Sequence, residues 1–174
     1  MPFEAFFAKF LSLGLREQPE LNAILDLDSV LLLEDAHVGI AVDVPGGLVV
    51  PVLRNPETES IAAIAEKIRE LARSARSGTV RAHDLEGASS TITNLGNYGV
   101  DAFTPVLNPP QSSILGVGRI RPQPVVRDGT IVAAETCVLS LTFDHRVTDG
   151  APAARFLDGI ARRMNDESYL ASLA

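Results

Sequence analysis

The sequence of 174 residues predicts a single α/β domain that spans residues 1–174. Three observations predict this class. Apolar residues follow helical spacing near the N-terminus, a second amphipathic helix lies before the middle of the chain, and short alternating runs are separated by Pro-Gly and Asp-Gly turns. With 46% apolar residues, a chain of this length can bury an ample core.

Composition excludes several classes of function. The net charge of −7 and the pI near 4.9 argue against binding to nucleic acid or to anionic lipid. The one cysteine, Cys137, allows no disulfide within the chain and fits a reducing compartment. No basic leader and no apolar run of membrane-spanning length is present, and no metal-ligand spacing occurs. We expect a cytoplasmic protein without a metal, located in the mitochondrial matrix if its source is eukaryotic.

The first half of the chain alternates helices with short strands. Phenylalanines at helical spacing predict an N-terminal helix that ends before Pro19. Residues 30–33 predict a short buried strand, and residues 38–44 and 48–53 predict a hairpin around Pro45-Gly46-Gly47. His37 precedes this hairpin without carboxylates or cysteines that could share a ligand, so we interpret it as structural.

A long amphipathic helix follows, and after it a polar strand. Ser60 is a suitable N-cap, and Gly78 is a suitable end for this helix. The Ser/Thr-rich residues 89–94 then run into Asn and Gly, a pattern that is also common for a polar edge strand ending in a turn. Residues 112–117 predict a strand, and residues 120–126 and 130–134 predict a hairpin joined at Asp128-Gly129.

The most informative stretch lies near the C-terminus. Cys137, Leu139, Leu141 and Phe143 alternate, which predicts a strand, and the apolar spacing after Gly150 predicts a helix with Asp149 as its N-cap. If the strand register continues, His145 points inward, where desolvation favours a neutral ring that can accept a proton. Taken singly, a histidine at a strand end is more often structural, and an aspartate at this position is more often a helix cap.

The motif His145-x-x-x-Asp149-Gly150, preceded by Asp144 and followed by Arg146, resembles the active-site signature of the dihydrolipoyl acyltransferases of the 2-oxo acid dehydrogenase complexes. The related chloramphenicol acetyltransferases usually carry a second histidine at the place of Asp144. Four further stretches resemble the same family: Pro19-Glu20-Leu21-Asn22-Ala23, residues 39–52, Thr93-Asn94-Leu95-Gly96 and Asn108-Pro109-Pro110-Gln111. The resemblance covers nearly the whole chain.

This resemblance implies a chloramphenicol-acetyltransferase-like mixed sheet flanked by helices. It also implies His145 as general base, Thr93 as the hydroxyl that stabilises the oxyanion, and Asp149 as the residue that fixes the loop and the orientation of the ring. Thr91 has the same side-chain parity as Thr93, so the choice between them rests on the resemblance. Arg146 is expected either to pair with Asp149 or to be solvated.

Asn94 and Gly96 are candidate contacts for coenzyme A. The implied reaction transfers an acyl group between coenzyme A and a lipoyl group on a separate domain or protein, without a metal. The implied assembly is a homotrimer with active sites between subunits, in a larger core or alone, and its partners are lipoyl domains and the other components of the complex.

Two alternatives stay open. Family domains begin earlier, with a further helix, strand and helix, so the chain could be a catalytically silent core or interaction module of the same fold. Alternatively, it could acylate a hydroxyl or an amine, as chloramphenicol acetyltransferase does, although Asp144 argues against this. The motifs do not distinguish acetyl, succinyl and branched-chain substrates.

Overall fold

The computed structural model describes residues 3–27 and 29–173 and contains four α-helices and eleven strands within them. The helices are α1 (Phe3–Glu17), α2 (Ile61–Ser77), α3 (Gly150–Asn165) and α4 (Glu167–Ser172). The strands are β1 (Ala23–Asp26), β2 (Ser29–Leu32), β3 (Val38–Ile40), β4 (Val42–Val44), β5 (Gly47–Val49), β6 (Val52–Leu53), β7 (Ser90–Asn94), β8 (Ser113–Val117), β9 (Arg121–Arg127), β10 (Thr130–Thr136) and β11 (Leu139–Phe143).

The centre of the domain is a mixed sheet of five strands in the order β11-β8-β7-β3-β6. Strands β3, β7 and β8 are parallel to one another, whereas β11 and β6 pair antiparallel at the two edges. The predicted α/β class with a mixed sheet and helices is therefore confirmed. Strand β7 lies at the centre of this sheet, so its polar composition does not mark an edge strand.

The two faces of the sheet differ in what covers them. One face carries the apolar side chains of all five strands and packs against α1, α2 and α3, with Phe7, Phe10 and Phe156 almost fully buried. The other face is richer in small and hydroxylated residues, since the strand register aligns Thr93 with Gly116 and Gly116 with Ser140, and it also carries Ile114. A segment without helix or strand, residues 102–108, crosses this second face.

Both predicted hairpins are present. The first is interrupted, since β4 pairs with β5 around Pro45-Gly46 while β3 pairs with β6 beyond it. The second, β9 with β10, turns at Asp128-Gly129 as predicted. The Ser60 hydroxyl accepts a hydrogen bond from the Ala63 amide at 3.2 Å, which confirms the predicted cap of α2.

One strand prediction is wrong in its burial. Strand β2 lies where residues 30–33 predicted a buried strand, but all of its residues are exposed. The reason is that, among the described strands, β2 pairs with β1 alone, in a separate ribbon of two strands, which leaves its apolar side chains outside the core.

Among the described residues, no helix combines the length and the apolar character needed to cross a bilayer.

Candidate active site

The loop that carries His145 is organised by Asp144. Strand β11 ends at Phe143, and the Asp144 amide still donates to the Ser112 carbonyl at 2.8 Å. The Asp144 carboxylate then accepts hydrogen bonds from three donors of Arg146: Nε, at 3.0 and 3.3 Å from the two oxygens, Nη2 at 2.7 Å, and the backbone amide at 2.9 Å. These donors hold the pKa of the Asp144 carboxyl below its usual range. Asp144 thereby closes a tight turn around the histidine.

The contacts of this loop add to what the sequence indicated. Arg146 pairs with Asp144, because the turn brings the guanidinium back onto the residue two positions before it. The loop itself is fixed by Asp144, whose carbonyl also accepts from the amides of Val147 and Thr148 at 3.0 and 3.2 Å. In the sequence, Asp144 served only to choose between related families, although an aspartate commonly begins a turn by accepting a hydrogen bond from the backbone amide two residues on, as Asp144 does here.

His145 is not buried within one chain, contrary to the expectation. The chain turns at residues 145–147, directly after the last strand hydrogen bond at Asp144, so the ring stands in the turn with 72% of its side chain exposed. The Phe143 ring flanks it with a centroid distance of 5.7 Å.

Asp149 lies at the N-cap position of α3, as predicted, but its side chain makes no capping hydrogen bond. It faces the histidine instead, with 3.5 Å between Asp149 Oδ1 and His145 Nδ1. A carboxylate at this distance favours the ring orientation in which Nδ1 carries the hydrogen and Nε2 keeps its lone pair. The contact is open to solvent, because Asp149 is itself 82% exposed.

Thr93 and Thr91 share a face of β7, and the structure distinguishes between them. The Thr91 hydroxyl is buried and donates to Gln111 Oε1 at 2.6 Å. The Thr93 side chain is half-buried and makes no hydrogen bond to the part of the chain described, residues 3–27 and 29–173. Of the two hydroxyls, only that of Thr93 is available to a bound group.

The Thr93 side chain lines a cavity of about 460 Å³. Its walls are formed by the sheet face, by β5 and by residues 102–108, including Leu48, Phe103 and Val106. Val106 is 86% exposed and stands at the opening. An apolar cavity with a free hydroxyl on its wall can hold apolar groups of a ligand and orient one of its polar groups.

Asn94 and Gly96, the predicted coenzyme A contacts, make close contacts within the chain. The Asn94 side-chain amide donates to Glu4 Oε1 at 3.0 Å, and its oxygen accepts from the Gly96 amide at 2.9 Å. A Cβ added at Gly96 would come within 2.7 Å of the Gly118 carbonyl oxygen, so only glycine fits there. Their contact with coenzyme A stays a prediction.

His145 and Thr93 are far apart within one chain. Thr93 aligns with Ser140 through Gly116, whereas β11 continues for three residues past Ser140 before the histidine loop begins. Three residues along the strand and two strand spacings across the sheet place the Cα atoms of Phe143 and Thr93 about 13 Å apart. His145 lines neither cavity to which Thr93 contributes.

The remaining candidate groups lie outside this arrangement. His37 is nearly buried, and its Nδ1 lies 3.1 Å from Asn55 Oδ1, which confirms it as structural. Burial raises the pKa of the Cys137 thiol, on the wall of a larger apolar cavity of about 610 Å³ between α1 and α3 that contains neither Thr93 nor His145. Within the described ranges, no three His, Cys, Asp or Glu side chains group closely enough to hold a metal ion.

The mixed sheet carries a histidine loop after its edge strand and a free hydroxyl on its central strand, and comparison with solved structures identifies its fold as chloramphenicol-acetyltransferase-like. The solved structure of a chloramphenicol acetyltransferase superposes on 92% of the chain with a TM-score of 0.51 at 13% identity, which shows the fold alone. The family is shown by a stronger match. The chain belongs to the 2-oxoacid dehydrogenase acyltransferases (catalytic domain), whose family model matches residues 1–171.

Relatives and solved structures agree with this assignment. The chain is 44% identical over 167 residues to the dihydrolipoyllysine-residue acetyltransferase component of the pyruvate dehydrogenase complex of Bacillus subtilis (strain 168), covering 95% of the chain and 38% of that relative. It is 41% identical to the corresponding component of the acetoin cleaving system of the same organism, covering 95% of the chain and 42% of that relative. The chain thus spans about two fifths of the length of these curated relatives.

Two crystal structures have the same domain fold. A probable dihydrolipoamide acetyltransferase from Listeria monocytogenes superposes with a TM-score of 0.89 at 34% identity, covering 94% of the chain and 70% of that chain. The dihydrolipoamide acetyltransferase of Azotobacter vinelandii superposes with a TM-score of 0.87 at 37% identity, covering 95% and 69%. The predicted family and fold are confirmed.

Proposed function

We propose that this chain transfers an acyl group between coenzyme A and dihydrolipoamide, with His145 as general base and Thr93 as oxyanion donor. The observation that carries the proposal is the Thr93 hydroxyl, which faces an apolar cavity without a hydrogen-bond partner among the described residues. Membership of the acyltransferase family and the names of the relatives support the same reaction.

The spacing of the proposed residues gives independent support. A crystallographic and enzymatic study of the Azotobacter vinelandii dihydrolipoamide acetyltransferase addressed a serine, a histidine and an asparagine in its catalytic mechanism. Its serine and histidine are separated by the same number of positions as Thr93 and His145, and its asparagine follows the histidine by four, as Asp149 follows His145. Threonine preserves the hydroxyl of the serine. An asparagine cannot exchange protons near neutral pH, so the role we propose for Asp149 is orientation.

The reaction begins with proton transfer to His145. Nε2 removes the proton of the incoming thiol, and the resulting thiolate attacks the carbonyl carbon of the acyl thioester. Asp149 accepts from Nδ1 and keeps Nε2 directed at the thiol. When the tetrahedral intermediate collapses, its bond to the leaving sulfur breaks, and the protonated ring returns its proton to that sulfur.

Thr93 acts on the intermediate. As the thiolate adds, the carbonyl oxygen becomes an oxyanion, and the Thr93 hydroxyl donates a hydrogen bond to it. One such donor in a site that excludes water is typically worth about 10²–10³ in rate. Since Thr93 makes no competing hydrogen bond to the described part of the chain, its hydroxyl is free to turn toward the oxyanion.

The two residues act together only across a subunit boundary. Within one chain, the strand register places the end of β11 and Thr93 about 13 Å apart between Cα atoms, whereas the thioester carbon must sit within about 3–3.5 Å of the attacking sulfur. We therefore propose a homotrimer in which the histidine loop of one chain faces the Thr93 cavity of its neighbour. The solved cubic core of a pyruvate dehydrogenase multienzyme complex, 38% identical to the chain with a TM-score of 0.87, supports an assembly of this kind.

Assembly would also supply the desolvation that His145 lacks in one chain. A neighbour that covers the exposed ring excludes water from the thiol, which strengthens every electrostatic interaction in the site. The substrates are coenzyme A and a lipoyl group on a separate domain or protein, and the partners are lipoyl domains and other components of the complex. The bacterial relatives support a location in the cytoplasm.

The test is a direct assay of the purified oligomer with acetyl-CoA and dihydrolipoamide, monitored for S-acetyldihydrolipoamide. Turnover that falls about 10²–10⁴-fold in His145→Ala supports the proposal. A verified oligomer without turnover would identify a catalytically silent core module instead. Acetylation of chloramphenicol without activity on dihydrolipoamide would identify an O-acyltransferase.

A further inference from the structure

The segment 102–108 forms one wall of the Thr93 cavity although it has neither helix nor strand of its own. It packs tightly on the sheet, since a Cβ added at Gly116 would meet Phe103 Cζ at 3.1 Å and Pro105 Cδ at 3.2 Å. Beside one end, Arg119 Nε donates to the Asp101 carboxylate at 2.9 Å, and at the other the Gln111 amide donates to the Asn108 carbonyl at 3.1 Å. The ends of the segment are thus anchored independently of its middle.

The middle of the segment is held by a residue of the strand that leads to His145. The Thr142 hydroxyl donates to the Pro105 carbonyl at 2.7 Å. In the described residues, this is the one side chain that hydrogen-bonds to the backbone of the 102–108 segment. Thr142 lies on the same sheet face as Thr93, because its register partner Ile114 is also the partner of Thr91.

We propose that Thr142 is a positioning residue that fixes the 102–108 segment as the wall along which the thiol-bearing substrate lies. This inference rests on the function proposed above and adds a residue to it. Phe103 and Val106 extend from either side of Pro105 and line the cavity, so a shift at Pro105 moves both. The wall contacts substrate in the ground state and in the transition state alike. Its loss therefore raises KM and leaves kcat nearly unchanged.

The expected change in KM follows from the free energy of one neutral hydrogen bond. Replacement of Thr142 by valine keeps the shape of the side chain and removes the donor, which leaves the Pro105 carbonyl without its partner. We expect KM for dihydrolipoamide to rise by about 2- to 12-fold, the range that such a bond supports. The Thr93→Ala variant should differ from this pattern, since its donor acts on the transition state and lowers kcat at constant KM.

The experiment compares three variants of the full chain by steady-state kinetics and by amide hydrogen exchange of residues 102–108 without substrate. Thr142→Val should raise both KM and the exchange of this segment, and Thr142→Ser, which keeps the hydroxyl, should restore both. Ser140→Ala is the matched control, since Ser140 lies two positions earlier on the same face and its hydroxyl bonds to none of the described residues.

The outcomes separate this inference from the proposed function. Wild-type protein without turnover refutes the function, and the positioning role falls with it. If the wild type is active while Thr142→Val retains both its KM and its slow exchange, the positioning role alone is overturned. A fall in kcat at constant KM overturns it as well, because Thr142 would then act on the reacting atoms.

Discussion

Two inactive variants should restore activity to each other if the active site is shared between chains. His145→Ala removes the proposed base, and Thr93→Ala removes the proposed oxyanion donor. In a mixed trimer, a chain that retains His145 can face a neighbour that retains Thr93. The distance of about 13 Å between Phe143 and Thr93 within one chain is the reason to expect this arrangement.

The expected recovery of activity follows from the fraction of subunit boundaries in a closed trimer at which both groups are intact. In a random 1:1 mixture, each boundary joins an intact histidine loop to an intact Thr93 cavity with a probability of about one quarter. Each variant alone should retain about 1% of wild-type activity or less, given a loss of roughly 10²-fold or more for either group. Recovery of about 25% of wild-type turnover therefore stands well above the background.

The assay mixes the variants under conditions that exchange subunits and measures S-acetyldihydrolipoamide formed from acetyl-CoA and dihydrolipoamide. Two affinity tags, one on each variant, verify that mixed oligomers have formed. Mixed oligomers that remain at the background of the single variants would refute the reasoning, because both groups would then have to act in the same chain. The double variant, mixed with itself, is the control for nonspecific recovery.

Three further substitutions test the local arrangement. Asp149→Asn should retain activity within about tenfold of the wild type, because an amide oxygen can still accept from Nδ1; complete loss in the assay would assign Asp149 a proton-transfer role. Asp144→Asn should lower Tm at pH 7. Because Arg146 depresses the Asp144 pKa, its stabilising effect is present above the ordinary carboxyl pKa and is lost as the pH falls through the lowered one. This Tm deficit should therefore shrink progressively as the pH is lowered below the ordinary carboxyl range, and a deficit that stays constant would contradict the ion pair. Gly96→Ala should destabilise the fold by about 1–3 kcal/mol in denaturant unfolding, since its Cβ would meet the Gly118 carbonyl, and unchanged stability would contradict that close approach.

Local signals in the sequence predicted the hairpin turns and the N-cap of α2, because these depend on a few neighbouring residues. Pro45-Gly46 and Asp128-Gly129 turn the chain as expected, and Ser60 caps α2. The pairing of strands that are distant in the sequence was harder to predict from these local signals. The polar residues of β7 read as an edge strand in isolation, but its neighbours β3 and β8 place it at the centre. Likewise, the apolar residues of β2 suggested burial, yet in the described part of the chain β2 pairs with β1 outside the central sheet.

The same difference between local and long-range contacts explains what the sequence could predict about the site. The motif around His145 identified the base candidate, but whether the ring is buried depends on where β11 ends and on what a second chain covers. The two threonines of β7 could not be separated by parity, and they are separated by a residue far along the chain, since Gln111 binds the hydroxyl of Thr91.

The exposure of His145 therefore supports the proposal that the active site is completed by a neighbouring chain. A ring with 72% of its side chain in solvent gains little from preorganised electrostatics, because water screens the charges that form during the reaction. The same loop is nonetheless rigidly built, with Asp144 accepting hydrogen bonds from three donors of Arg146 within a few residues. Such a turn holds the exposed ring in a fixed position. This combination is what a site completed by a neighbouring chain requires, because the ring must already be in place when the Thr93 cavity of that neighbour closes over it.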